Sequence, residues 1–191
     1  MPHSGFRAGE QLPASRQAAV WAHAETVLRH AAGQPFALAG YSSGGLVAHA
    51  VAAELERRGE RCTALVLLDT YRPDATELVE ELIPQVLQGL LERQARMTGE
   101  GEGSDGDAWL TAMARYLQFD WTPTPIHAPT LLVRAATPMP GRAAGGEWQA
   151  DWPSAETTLT VDGDHFTMLE THAADTARTV HDWLTERGGS R

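Results

Sequence analysis

Residues 40–44 read Gly-Tyr-Ser-Ser-Gly and place Ser42 in the pattern G-x-S-x-G. A serine in this pattern can act as a nucleophile in acyl transfer when it occupies a sharp strand-to-helix turn, which projects its Oγ above the sheet edge and requires small residues on either side. The pattern alone is weak evidence, because small-residue turns also occur by chance. Its context strengthens the prediction, since an apolar run at residues 36–39 precedes the turn and a helical pattern at residues 43–58 follows it.

A serine hydroxyl becomes a good nucleophile only when a base removes its proton, so the prediction requires a histidine oriented by a carboxylate. Among the eight histidines, His165 lies in a short glycine-containing loop, residues 162–166, between a predicted strand and the last predicted helix. Such a loop can hold an imidazole over the serine, so His165 is the predicted base. Five other histidines fall on predicted helices, where surface or packing roles are expected: His23, His30, His49, His172 and His181.

The carboxylate of such a triad can follow either of two predicted strands, and the expected chain order is serine, acid, histidine. The earlier strand, residues 63–68, ends directly in Asp69, whereas the later strand, residues 130–133, is followed by no nearby carboxylate. A lone aspartate at this place would be a turn or capping residue, but with the serine and His165 present Asp69 is the predicted acid. Asp164 competes with it, although a residue adjacent in sequence tends to point away from the imidazole.

Strands and helices alternate along most of the chain, which predicts a single α/β domain over residues 1–191 with a mostly parallel sheet and right-handed crossovers. Ser15 is the predicted N-cap of the first helix, and Gly33 its predicted C-terminal cap. The uninterrupted apolar run at residues 63–68 is typical of a strand buried on both faces. Residues 156–161 alternate between apolar and polar and are predicted to lie nearer an edge.

One segment, residues 73–120, departs from this alternation and is predicted to be a helical insertion. Residues 76–97 carry a broad apolar stripe interrupted by Pro84, which is expected to kink or split the helix. A Gly- and acid-rich stretch, residues 99–106, is predicted to be mobile, and a second helix is predicted over residues 107–118. The apolar faces fit core helices and a lid over a substrate channel equally well, and one pair of helices can serve both purposes.

The composition disfavours several classes of function. The formal net charge of -10 argues against nucleic acid and anionic membrane surfaces as partners. The single cysteine, Cys62, can form neither an internal disulfide nor a CxxC metal site, which fits a reducing, cytoplasmic location. The first residues lack the apolar region of a signal peptide, and no run reaches the ~18 apolar residues of a membrane span. We therefore expect a soluble protein that is not exported and binds no metal.

Four segments together resemble the thioesterase domains that end modular type I polyketide synthases, the macrolide-forming kind in particular. The matching segments are FALAGYSSGG (residues 36–45), LVLLDTYRP (65–73), PTLLV (129–133) and GDHFTML (163–169). The resemblance implies an α/β-hydrolase fold with a helical lid over a substrate channel, and a catalytic triad of Ser42, Asp69 and His165. It also implies that the backbone N–H of Ser43 contributes to an oxyanion hole and that Tyr71 lines the channel.

The resemblance implies a reaction as well as a fold. Ser42 would attack the thioester that joins a finished polyketide to the phosphopantetheine arm of an acyl carrier protein, which is the expected partner. The resulting ester on Ser42 would be resolved by a hydroxyl of the polyketide, giving a macrolactone, or by water, giving a free acid. This chemistry needs no metal and no dissociable cofactor.

The chain departs from the family at its N-terminus, where the family is longer. Residues 2–6 resemble a Pro-Gly-aromatic loop that normally lies well inside the domain. The first sheet strands, a loop that donates one oxyanion N–H and the helices through which many members dimerise are therefore expected to be absent. Two alternatives remain open: a stand-alone editing (type II) thioesterase, against which the position of Asp69 argues, and a catalytically impaired fragment that binds acyl chains.

Overall fold

The computed structural model describes residues 4–97, 103–140 and 148–188 of the 191-residue chain. Five α-helices and four strands occur within these residues: α1 (Arg16–Ala31), β1 (Ala37–Tyr41), α2 (Ser43–Arg57), β2 (Ala64–Leu68), α3 (Thr76–Met97), α4 (Gly103–Leu117), β3 (Thr130–Ala135), β4 (Thr157–Val161) and α5 (Ala173–Gly188). A short 3₁₀ helix, Thr167–Leu169, precedes α5. The predicted α/β alternation is confirmed, with α3 and α4 inserted between β2 and β3.

The four described strands form one parallel sheet in the order β1-β2-β3-β4. The register places Leu38 opposite Leu65, and Leu65 opposite Thr130. Because the strands are parallel, their carboxyl ends meet at one edge of the sheet, where the functional groups of open α/β sheets are usually found. β1 and β4 are the outer strands of the described sheet, so the edge position predicted for residues 156–161 is confirmed.

The central strand β2 is buried on both faces of the sheet. Leu65 and Leu67 pack with buried residues of α1 and α2, whereas Ala64 and Val66 pack with the side of α5 that carries Trp183. Each of these four strand residues is at most 1% exposed. Complete burial of a leucine side chain stabilises the folded state by about 1.5–3 kcal/mol. The uninterrupted apolar run therefore behaves as its sequence predicts.

The inserted helices can be compared with two predictions. Pro84, expected to kink or split the helix, lies inside α3 without splitting it, since the helix continues to Met97. Packing of the apolar stripe, whose residue Leu82 is 7% exposed, holds the helix together across the missing N–H. α4 begins at Gly103, ahead of the predicted start at residue 107. The remainder of the stretch predicted to be mobile, residues 99–102, lies outside the described residues.

Helix α3 contacts the segment that follows His165 by a close approach at Gly89. A Cβ atom at Gly89 would lie 2.6 Å from Cζ of Phe166, so a larger residue would push the helix away from this ring. The guanidinium of Arg93 lies 3.7 Å from the centroid of the same ring and pairs with Glu170 Oε2 at 3.0 Å. Helix α3 therefore packs directly on the histidine loop.

The C-terminal turn of α2 is held by a buried carboxylate. Glu54 is 6% exposed and accepts hydrogen bonds from Arg57 Nε at 2.9 Å and from Arg58 Nε at 2.6 Å. The pKa of the Glu54 carboxyl falls from 4.5 to about 2. The hydrogen bond from Arg57 is the largest cause of this decrease, and burial opposes it. Arg58 also pairs with Glu25, so the same cluster joins α2 to α1.

We predict that Glu54→Gln destabilises the protein more at pH 7 than at pH 3. The pKa of Glu54 is depressed in the folded state, so its stabilisation is present above about pH 4.5 and is lost as the pH falls towards about 2. Urea unfolding of wild type and variant at both pH values measures the difference in free energy. Glu60→Gln, at an exposed glutamate beyond α2, is the control, and an equal penalty for Glu54→Gln at both pH values would contradict the prediction.

Candidate active site

Ser42 occupies a sharp turn between β1 and α2. Its φ and ψ are 53° and -130°, which is a strained conformation for a residue other than glycine and costs of order 1–3 kcal/mol. The N–H of Ser42 donates to the carbonyl of Leu68 at 2.9 Å, so the turn is attached to the end of β2. This geometry is that of the nucleophile elbow expected from the G-x-S-x-G pattern.

Close approaches at two glycines explain why the turn needs small residues. One of these glycines belongs to the G-x-S-x-G pattern, and the other lies just after it. A Cβ atom at Gly40 would lie 2.6 Å from Cα of Gly45, which confirms a need for glycine before the serine. A Cβ atom at Gly44 would meet open space, so the pattern glycine after the serine is not required by packing. The second required glycine is Gly45, where a Cβ atom would lie 2.8 Å from Cβ of Thr70.

Asp69 and His165 form a buried pair at the same edge of the sheet. His165 Nδ1 lies 2.7 Å from Asp69 Oδ2, and the side chains are 2% and 1% exposed respectively. The second carboxylate oxygen, Oδ1, accepts a hydrogen bond from the N–H of Ala135 at the end of β3, at 3.1 Å. The N–H of Asp69 donates to the carbonyl of Val133 at 2.7 Å. The carboxylate is therefore held by the backbone of the neighbouring strand.

Asp164, the competing acid, turns away from the imidazole. Its Oδ1 accepts hydrogen bonds from the N–H groups of Phe166 at 2.9 Å and Thr167 at 2.8 Å, just before and at the first residue of the 3₁₀ helix. Burial opposes ionisation of Asp164, but the hydrogen bonds from Thr167 and Phe166 outweigh it and lower the pKa of the carboxyl. Asp164 thus shapes the loop that carries His165 and leaves Asp69 as the partner of the imidazole.

The contacts of His165 define which of its nitrogens can accept a proton. Nδ1 donates to Asp69, so in the neutral ring Nε2 carries the lone pair. Three aromatic rings surround the imidazole: Tyr41 stacks on its face at 4.8 Å between centroids, Tyr71 lies at 6.3 Å and Phe166 at 5.1 Å. Ser42 and His165 are not joined by a hydrogen bond in the described part of the chain, and such bonds commonly tighten only when substrate binds.

Tyr71, predicted to line the substrate channel, lies against the acid. Its side chain is 8% exposed, and its hydroxyl donates to Asp69 Oδ2 at 3.4 Å and to the carbonyl of Trp148 at 3.3 Å. Both distances are long for O–H···O hydrogen bonds, so each contact is weak. A contact between Tyr71 and substrate stays a prediction.

The predicted oxyanion donor, the N–H of Ser43, is the first of helix α2. The first N–H groups of a helix have no intrahelical acceptor and lie at the positive end of the helix dipole, so this group can stabilise an anion. Of the N-terminal loop, Pro2 and His3 lie outside the described residues. Phe6 packs on Tyr116 of α4, with 5.7 Å between the ring centroids.

The remaining buried histidines are packing residues. His23 on α1 and His49 on α2 are 7% and 4% exposed, and burial lowers the pKa of both, that of His49 to about 4. The ring of His49 packs on Trp152 at 5.3 Å between centroids. His172, predicted on a helix, lies in the turn just before α5. Burial also raises the pKa of the Cys62 thiol to about 11, so this thiol is a poor nucleophile at neutral pH.

Sequence reasoning missed Tyr41 as a neighbour of the histidine. Its hydroxyl donates to the carbonyl of His165 at 2.5 Å across 124 positions of the chain. Tyr41 occupies a variable position of the G-x-S-x-G pattern, and no signal in the sequence links that position to the histidine loop. The contact forms because the loop after β4 carries His165 back across the sheet to Asp69, which follows β2, the neighbour of β1.

The described ranges contain neither a cluster of metal-ligating residues nor a helix that could span a membrane. No group of three or more His, Cys, Asp or Glu residues in these ranges could hold a metal ion. No helix in the same ranges is both long enough and apolar enough to cross a bilayer.

Comparisons with known proteins identify relatives among large synthases. The chain is 44% identical over 182 residues to the polyketide synthase GfsE of Streptomyces halstedii, a match that covers 94% of this chain and 5% of that protein. It is 36% identical over 187 residues to the erythronolide synthase EryA3 of Saccharopolyspora erythraea, covering 96% of this chain and 6% of that protein. The chain thus spans only a small fraction of the length of these relatives.

Two solved structures with the same fold are thioesterase domains. The NocB thioesterase domain from the nocardicin cluster superposes with a TM-score of 0.65 at 23% identity, covering 90% of this chain and 74% of that one. The surfactin thioesterase domain SrfTE superposes with a TM-score of 0.60 at 18% identity, covering 87% and 74%. These likenesses show the α/β-hydrolase fold. Residues 2–184 also match the Thioesterase domain family itself, and the chain therefore belongs to that family.

Proposed function

We propose that this chain is a serine thioesterase that releases a polyketide from an acyl carrier protein through an ester on Ser42. The observation that carries the proposal is the buried Asp69–His165 pair, 2.7 Å apart, at the sheet edge where the elbow presents Ser42. The substrate class is supported by relatives named as polyketide synthases, including GfsE and the spectinabilin polyketide synthase system protein NorC of Streptomyces orinoci, which is 40% identical.

His165 acts as the base in the first step. Asp69 accepts the hydrogen bond from Nδ1, so Nε2 is the nitrogen that takes the proton of the Ser42 hydroxyl. The oxygen of Ser42 then bonds to the thioester carbonyl carbon, and the carbonyl oxygen becomes an anion. The carboxylate of Asp69 stabilises the imidazolium that forms, because the pair is almost completely removed from water.

The tetrahedral intermediate collapses by breaking the carbon–sulfur bond. The N–H of Ser43, at the positive end of α2, stabilises the oxyanion until the carbonyl re-forms. The imidazolium of His165 returns its proton to the departing thiolate of the phosphopantetheine arm. The acyl group is left as an ester on Ser42, and no metal or dissociable cofactor takes part in the step.

The acyl ester is resolved by a second nucleophile that His165 activates in the same way. A hydroxyl of the polyketide gives a macrolactone, and water gives a free acid. Folding of the chain that brings its own hydroxyl into reach makes the intramolecular route competitive. An editing thioesterase would give the linear acid alone, so mass spectrometry of products from a long hydroxyacyl N-acetylcysteamine thioester distinguishes the two.

We predict that Ser42→Ala abolishes thiol release from a short acyl-N-acetylcysteamine thioester, with a fall of at least about a thousandfold in kcat/KM. The variant lacks the oxygen that forms the acyl ester. Release is measured with a thiol-reactive dye, and Ser154→Ala, at an exposed serine, is the matched control. A fluorophosphonate should label the wild type but not Ser42→Ala; the NocB domain forms a covalent complex with such a compound.

Two outcomes of that experiment separate the proposal from its alternatives. An initial burst of thiol release followed by steady turnover, both lost in Ser42→Ala, would establish Ser42 as the nucleophile. Folded wild-type protein that neither releases thiol nor reacts with the fluorophosphonate would support the catalytically impaired, acyl-binding fragment.

We predict that Asp69→Asn lowers kcat/KM by about 10³–10⁴-fold, whereas Asp164→Asn lowers it by less than about tenfold. An amide at position 69 can donate to Nδ1 and so stabilise the tautomer in which Nε2 holds the proton and cannot act as a base. An amide at position 164 keeps the oxygen that accepts from Thr167. The same kinetic assay measures both variants, and equal losses would show that Asp69 is not the acid.

A further inference from the structure

We propose that Tyr41 is a positioning residue for His165, which fixes the histidine loop through its hydroxyl and stabilises the protonated imidazole through its aromatic face. The inference rests on the proposed role of His165 as the base. It concerns the residue immediately before the nucleophile, whose side chain no step of the proposed reaction uses.

Two separate contacts join Tyr41 to the same histidine. The hydroxyl donates to the backbone carbonyl of His165 at 2.5 Å, which ties the histidine loop to the last residue of β1. The phenol ring stacks on the imidazole with 4.8 Å between centroids and 28° between planes. One contact restrains the backbone and the other restrains the ring, so together they restrain where the imidazole lies relative to the end of β1.

The hydroxyl of Tyr41 stays protonated at the pH values at which the enzyme would work. Burial, and then the negative charge of Asp69, raise the pKa of Tyr41 well above its ordinary value. A neutral hydroxyl can donate to a carbonyl, whereas a phenolate could not. The hydroxyl of Tyr41 can therefore donate to the histidine loop over the working pH range.

The aromatic face of Tyr41 is placed to stabilise His165 in its protonated form. His165 becomes a cation when it takes the serine proton, and a cation within about 6 Å of an aromatic centroid is stabilised by the electrons of the ring face. Tyr41 occupies one face of the imidazole, while Asp69 occupies its Nδ1 edge. Tyr71 and Phe166 also lie beside the imidazole, and the charged groups that act on Tyr41 itself are Asp69, Arg93, Asp164 and Glu170.

The two contacts can be separated by substitution. Tyr41→Phe keeps the ring and removes the hydroxyl, whereas Tyr41→Leu removes both, with Tyr41→Met in reserve should the leucine variant not fold. Tyr116→Phe, at a buried tyrosine of α4, is the matched control for loss of a hydroxyl. Far-ultraviolet circular dichroism and the melting temperature identify the variants that are folded.

We expect Tyr41→Phe to lower kcat roughly tenfold, with KM near the wild-type value, because one hydrogen bond that positions the base is lost. The acidic midpoint of its pH–kcat/KM profile should match that of the wild type, since the ring remains. We expect Tyr41→Leu to move that midpoint roughly half to one pH unit lower as well, because the protonated imidazole loses the aromatic face. Tyr116→Phe should change neither quantity.

Nuclear magnetic resonance titration of the His165 Cε1–H signal, assigned by its loss in His165→Gln, gives a readout that does not depend on turnover. Its midpoint should shift to lower pH in Tyr41→Leu and not in Tyr41→Phe. The proposal is overturned if Tyr41→Leu titrates like the wild type, or if Tyr41→Phe retains the kcat of Tyr116→Phe. Absence of Ser42-dependent release in the wild type would instead refute the proposed function, and the titration alone would then decide the effect of Tyr41.

Discussion

Parallel pairing of the four strands is the constraint on which the candidate site depends, because it brings the carboxyl ends of β1, β2, β3 and β4 to one edge. Backbone hydrogen bonds continue past the strand ends: Ser42 donates to Leu68, Asp69 to Val133, and Thr137 to Gly163. Each segment that carries a candidate catalytic residue is thus attached to its neighbour. A shift in the register of one strand would move the candidate catalytic residue that follows it away from the other two.

Burial of the Asp69–His165 pair has two opposite effects: it raises the cost of an ionised carboxylate, and it strengthens the attraction between the two side chains. An ionised carboxylate out of water is destabilised unless its oxygens are hydrogen-bonded, and here the imidazole and the N–H of Ala135 take one oxygen each. The same exclusion of water strengthens the attraction between Asp69 and a protonated His165. Positive φ values at both Ser42 and Asp69 show that the backbone accepts strain to place these side chains, a cost that the surrounding packing offsets.

The histidine loop is held from two sides. From the sheet, Tyr41 contacts the carbonyl and the ring of His165; from the inserted helices, α3 packs on Phe166 through Gly89. Arg93 adds an ion pair with Glu170 beyond the same loop. Helix α3 therefore contacts Phe166, the residue next to the proposed base.

The sequence by itself determined the alternation of strands and helices, the elbow at Ser42, and a ranking of Asp69 and His165 above their competitors, because hydrophobic periodicity and turn residues are local properties. It also predicted the family, and the comparisons confirm it. Only the tertiary structure decided the contacts made across the chain: the stacking of Tyr41 on His165, the turn of Asp164 away from it, the need for Gly45 rather than Gly44, and the continuity of α3 through Pro84. Those features depend on distances between segments far apart in sequence, which packing of the sheet and helices sets and local pattern does not encode.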